Sequence, residues 1–213
     1  NMVEMQPLVE PLVAGKVYQL KLNQTDSNII MSVFQTINGT SNQTKITQDG
    51  YFVIHKDATR VVLRVEVLSG ATANGTVSPE LYAVEDEIDL FTATPLTTRE
   101  DATSNGVTFN WNGDKCTVSG TSTGGYSYTN MIVMEPLESP LLPGQSYRLV
   151  LNNTDENIGV TIFQKVNGTS TPTTYTKDST ITFDSTITRT VIRVEVPQGK
   201  TASGTISPKL YLA

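Results

Sequence analysis

The chain has 213 residues, 17% charged and 38% hydrophobic, with 15 basic against 21 acidic side chains and a net charge of −6. That length accommodates one large domain or two of about 100 residues. One cysteine excludes an internal disulfide and a cysteine-cluster metal site, and one histidine excludes a multi-histidine zinc site. The acidic balance without a basic cluster argues against nucleic acid as a partner, and no apolar run approaches the roughly 18 residues of a membrane span, so no membrane insertion is expected.

From the amino end, Val17-Tyr18-Gln19-Leu20-Lys21-Leu22 alternates as a half-buried strand does, which places Tyr18 in the core. The loop that follows, Asn23 to Asn28, carries Asp26 and Asn28, oxygen donors that suit either a calcium ion or metal-free Asx turns. Asn38-Gly39 reads as a hairpin turn, because both residues tolerate positive φ. Arg60 to Val67 alternates, with Leu63, Val65 and Val67 on one face and Arg64 and Glu66 on the other. Residues 85–104, with Glu85-Asp86-Glu87 and a Thr/Pro stretch around Pro95, read as a linker holding a short strand at Ile88–Phe91.

Val107–Trp111 and Lys115–Ser119 read as strands around an Asn112-Gly113-Asp114 turn. Val107, Phe109 and Trp111 point inward together, and Cys116 shares a face with Val118 as a buried free thiol. Tyr126 and Tyr128 share a face, and Tyr147–Leu151 repeats the alternation that begins at Val17. Asp155 and Asn157 restate the Asp26 loop, Asn167-Gly168 restates the hairpin turn, and Ile192, Val194 and Val196 oppose Arg193 and Glu195. No stretch of a dozen residues has an amphipathic helical period. Many short strands separated by turn signals define an all-β chain of antiparallel sandwich or jelly-roll type.

These echoes belong to one pattern. Residues 1–84 align without a gap on residues 130–213, with about half the positions identical, so the sequence reads as two tandem β-sandwich units related by internal duplication. The first unit is placed at 1–84 and the second at 105–213. Nothing in 1–84 corresponds to the hairpin of Val107–Ser119. The first unit is therefore expected either to take those strands from elsewhere or to fold on fewer, with its sheet edge filled or guarded.

For chemistry, His55 aligns with Asp184 and has no twin, which leaves histidine-based catalysis without support. A phosphate-cradling loop is absent. Arg64/Glu66 and Arg193/Glu195 are the polar pairs most suited to sugar hydroxyls, with Gln35 and Gln164 placed on neighbouring strands. The competing reading is a solvated face with ion pairing. Tyr126 and Tyr128 are the candidate stacking platform, Tyr51 and Tyr175 lesser ones, and Trp111 reads as core.

GVTFNWNGDKCTVSGTST, PLLPGQSYRLVL and VIRVEVPQGKTASGTISPKLYL resemble, in order, the opening hairpin, a central strand and the closing pattern of a known domain. That domain recurs in tail-fibre and baseplate proteins of phages and prophages of Gram-positive bacteria, and in secreted proteins of gut bacteria. The resemblance covers 105–213 and, without the hairpin, 1–84. It departs from the family at Trp111, where a small aliphatic residue is usual, and at Cys116. It implies a carbohydrate-binding jelly roll: a non-enzymatic module, extracellular or virion-associated, with no cofactor unless calcium occupies the Asp26 and Asp155 loops. The partner expected is a surface glycan. The alternative is a spacer or assembly repeat whose partner is a neighbouring structural subunit, in a homo-oligomer or a longer tandem array.

Overall fold

β-Branched and aromatic residues in alternation build antiparallel ladders throughout the protein, a computed structural model that describes residues 3–5, 12–84, 87–94, 97–137 and 140–213. Two compact units are present: residues 1–87 with 138–142, and residues 88–137 with 143–213.

In the first unit the strands are β1 (Val3–Met5), β2 (Val17–Lys21), β3 (Ile29–Ile37), β4 (Thr40–Ile46), β5 (Gly50–Val53), β6 (Ala58–Val67) and β7 (Glu80–Ala83). They form two sheets, ordered β1-β6-β3-β4 and β5-β2-β7. Tyr18 and Leu20 of β2 and Phe52 of β5 meet Met31 and Val33 of β3 and Val61 and Leu63 of β6 in the core. This is the two-layer packing that period-2 alternation requires.

The second unit holds a helical turn, α1 (Leu90–Ala93), and then β8 (Ala102–Ser104), β9 (Val107–Asn112), β10 (Lys115–Thr121) and β11 (Ser127–Met134). There follow β12 (Ser146–Val150), β13 (Gly159–Val166), β14 (Thr169–Tyr175), β15 (Ser179–Thr182), β16 (Ile187–Val196), β17 (Thr201–Ile206) and β18 (Lys209–Leu212). Sheets β11-β16-β13-β14 and β15-β12-β18 reproduce the pair in the first unit. A third sheet, β17-β10-β9-β8, has no counterpart among the described residues of the first unit.

The ladders repeat with the sequence. Ile30 lies opposite Glu66 as Gly159 lies opposite Glu195, and both long strand pairs shift register at the same aligned place, after Thr36 and after Lys165. Asn38-Gly39 and Asn167-Gly168 have positive φ at both residues, the primed turn whose twist suits a hairpin.

The segment read as a linker is different. Pro95, Glu85 and Asp86 lie outside the described residues, but 88–94 and 97–104 belong to the second unit. In place of a strand at Ile88–Phe91, Asp89 caps a helical turn by accepting the Phe91 N–H, and Leu90 and Phe91 are buried. The same carboxylate accepts the Leu210 N–H of β18. The Thr98 N–H donates to the Met131 carbonyl of β11, and β8 joins β9 through a third Asn-Gly turn, Asn105-Gly106. Local composition looked like a linker because its apolar residues are few; the hydrogen bonds that hold it come from strands far along the chain.

Candidate functional site

The twin loops resolve into a clasp. Asp26 Oδ1 accepts the Asn28 N–H at 2.9 Å and Oδ2 accepts the Asn74 N–H at 2.7 Å. Asp155 likewise accepts the Asn157 and Ser203 amides, at 2.9 and 2.8 Å. Thr25 and Thr154 close the same clasp against Thr76 and Thr205, each taking the backbone N–H on its hydroxyl at 2.8 Å. The amides of Asn28 and then Asn74 hold the Asp26 carboxyl below the ordinary carboxylate range, and those of Ser203 and then Asn157 do the same for Asp155. Asn28 and Asn157 give their side-chain amides to the Thr72 and Thr201 carbonyls. Asp26, Asn28, Asp155 and Asn157, the residues of the calcium expectation, thus form Asx turns, the other arrangement their sequence suits. The oxygens are engaged by backbone, and among the described residues no three acidic, histidine or cysteine side chains converge.

Gln35 and Gln164 leave the polar face. Each is on the strand beside its Arg/Glu pair, but Gln35 lies opposite Val61 and Gln164 opposite Thr190, so both project from the other side of the sheet. Gln35 donates to the Val53 carbonyl at 2.8 Å and accepts the His55 N–H at 2.7 Å. Gln164 spans from Thr182 to the Asp184 N–H in the same way. Their amides tie one sheet to the end of the other. His55 is buried, and its Nδ1 accepts the Asp57 N–H. An open cleft of about 500 Å³ beside Gln164 is lined by Thr171, Thr173, Thr182, Phe183 and Asp184. Its strongest polar groups are engaged within the chain, since Asp184 accepts from the Thr186 N–H and hydroxyl.

What does assemble is the outer face of β11-β16-β13. Tyr128 of β11 lies opposite Glu195 of β16, which brings together residues far apart in sequence. The Arg193 guanidinium sits between two rings, 4.1 Å from the centroid of Tyr128 and 4.4 Å from that of Phe163 on β13. Its Nε and Nη2 donate to Glu195 Oε2 at 2.6 and 2.5 Å, and Glu195 is only 1% exposed. Tyr128 remains 39% exposed and Tyr126, just ahead of β11, 53%. The face is thus an aromatic ring in solvent, backed by a guanidinium that a buried carboxylate fixes in place.

The twin in the first unit is looser. Arg64 Nη1 is 3.4 Å from Glu66 Oε1, and the two side chains are 41% and 23% exposed. Arg64 stacks on Phe34 at 4.6 Å, and Glu66 Oε2 accepts from Ser32 Oγ and Gln43 Nε2 at 2.5 and 3.2 Å. The matched pairs are therefore not matched sites. Phe34 and Phe163 were missed in the sequence, because their role depends on cross-strand register. Tyr51 and Tyr175 are half-buried, with burial pushing the Tyr175 phenol up. Tyr18, Tyr147, Phe109 and Cys116 are core as read, whereas Trp111 is only half-buried.

No family model matches the chain, and no curated protein matches it in sequence. Among solved structures it is similar to accessory secretory proteins 1, 2 and 3 of Streptococcus pneumoniae at 12% identity and a TM-score of 0.40, over 56% of this chain and 97% of that one. A glycosylation-associated protein complex from Streptococcus agalactiae matches at 16% and 0.36, over 49% of this chain and 38% of that one. Carbohydrate-binding modules of the β-sandwich superfamily match at 14% and 0.33, over 92% and 98%. The likenesses are distant in sequence and shape.

Proposed function

We propose that this chain is a non-enzymatic glycan-binding module of a cell-surface or virion protein, and that it binds through the outer face of its second unit. The observation that carries this reading is the solvent-exposed Tyr128 ring braced by Arg193, which the buried Glu195 locks in place. A pyranose ring presents an apolar C–H face and a rim of hydroxyls. A rigid tyrosine offers the first a flat partner at little conformational cost and the second a phenol. Tyr126 extends the platform. Arg193 Nε and Nη2 both bond Glu195 Oε2, so the ion pair positions the ring, and stacking on that ring dominates the recognition.

The test is binding of labelled protein to a broad set of bacterial cell-wall and mucosal glycans, compared with a Tyr128→Ala variant. Saturable binding weakened about tenfold or more in the variant is the expected result, as for a buried aromatic anchor. Equal binding by both proteins removes the site from this face, and silence across the set removes the glycan reading.

A further inference from the structure

The outer face of β11-β16-β13-β14 continues beyond Tyr128. Side chains two apart on a strand share a face, so the register lays out rows across the sheet. One row past Arg193, Val133 and Phe163 flank Val191 from either side, and Pro172 lies opposite Phe163. Val133 is 49% exposed and Pro172 is exposed, with Val191 and Phe163 half-buried between them. In the row beyond this apolar one, Arg189 lies opposite Lys165. Glu135, just past β11, reaches both cations: Oε1 is 3.2 Å from Lys165 Nζ and Oε2 is 3.3 Å from Arg189 Nε.

Two cations here share one carboxylate. Both stay in contact with solvent, and the Nη1 and Nη2 groups of Arg189 have no acceptor among the described residues. Across the face, Lys165, Arg189 and Arg193 stand against Glu135 and Glu195, a surplus of one positive charge on a chain whose net charge is −6. The first unit lacks the arrangement. Thr36 takes the place of Lys165 opposite Arg60, and Gln43 takes the place of Pro172, where its amide is drawn to Ser32 and Glu66. From Glu195, opposite Tyr128, to Arg189 is six residues of β16, about 20 Å along the strand.

Resting on the glycan reading above, we propose that this face takes an acidic oligosaccharide laid along β16. One sugar stacks on Tyr128, the C–H faces of the next lie over the Val133–Pro172 row, and a sugar carboxylate meets Arg189 and Lys165. The Nη1–Nη2 edge of a guanidinium matches the two oxygens of a carboxylate, and the lysine adds a point charge beside it. A single surplus charge is neutralised by the carboxylate of a uronic or sialic acid and overshot by a phosphate monoester. Glu135 holds the two cations in place in the free protein and competes with the incoming carboxylate.

The test measures binding of the full chain to linear oligosaccharides in matched pairs, one with its hexuronic or sialic acid intact and one with that carboxyl reduced to the alcohol. The acidic member is expected to bind about fivefold more tightly, with the preference lost in a Lys165→Gln/Arg189→Gln variant. Glu135→Gln should widen the preference, a gain that a folding defect would not produce. Tyr128→Ala should weaken both members alike. Equal binding of the two members, with Tyr128 still required, overturns the acidic end and leaves the glycan reading intact, as does Tyr128-dependent binding confined to other glycans. A preference that survives in the Lys165→Gln/Arg189→Gln variant places the carboxylate elsewhere and overturns it too. Silence across every glycan tried overturns both readings together.

Discussion

Replacing Arg193 with methionine and Arg64 with methionine removes the same residue from aligned positions, yet the structure separates the two outcomes sharply. Arg193→Met leaves Glu195, 1% exposed, as a buried carboxylate without its counter-charge. Breaking a buried pair from one side costs about 3–5 kcal/mol. With a urea m-value of about 2 kcal/mol/M, the midpoint of the second unit falls by about 2 M. Arg64→Met leaves Glu66 partly solvated and still bonded to Ser32 and Gln43, so the cost is about 0–1 kcal/mol. Trp111, the only tryptophan, reports the second unit by fluorescence, and amide exchange of Val33 and Leu63 reports the first. A double variant, Arg193→Met with Glu195→Leu, is expected to recover most of the loss, because an apolar pair carries no desolvation penalty. Similar midpoint shifts for the two single variants, or no recovery in the double, would refute the reasoning.

Three further outcomes follow from the clasp and the core. A Cβ at Gly75 would lie 2.7 Å from Thr25 Oγ1, and one at Gly204 would lie 2.8 Å from both Thr154 Oγ1 and Asp155 Cβ, so Gly75→Ala and Gly204→Ala each lower stability by about 1–3 kcal/mol in equilibrium unfolding. Asp26 and Asp155 have carboxyls lowered by backbone amides, so their stabilisation is complete above the unfolded value near 4 and is lost as pH falls through the lower folded value; Asp155→Asn should flatten the acid limb of a stability-against-pH curve, and an unchanged limb would count against the clasp. Burial pushes the Cys116 thiol up to about 12, so a thiol reagent at pH 8 should label it only after denaturation, and rapid labelling of the native chain would contradict its burial.

Local chemistry was enough to establish the all-β class, the Asn-Gly turns and the core tyrosines, because alternation and positive-φ turns are properties of a few neighbouring residues. The likeness of the two halves was legible in the sequence for the same reason, by aligning one on the other. Register was not legible. Which face Gln35 and Gln164 take, and whether Phe163 meets Arg193, depend on how strands distant in sequence line up, and a shift of one residue would reverse every side chain. The linker reading failed on the same ground, since α1 and β8 owe their place to β18, β11 and β9. Alternation placed both Arg/Glu pairs on a sheet face, yet only the tertiary structure decided that Glu195 is sealed and Glu66 is not. Burial is set by whatever covers a strand, and that is a property of the folded chain, not of the residues beside it.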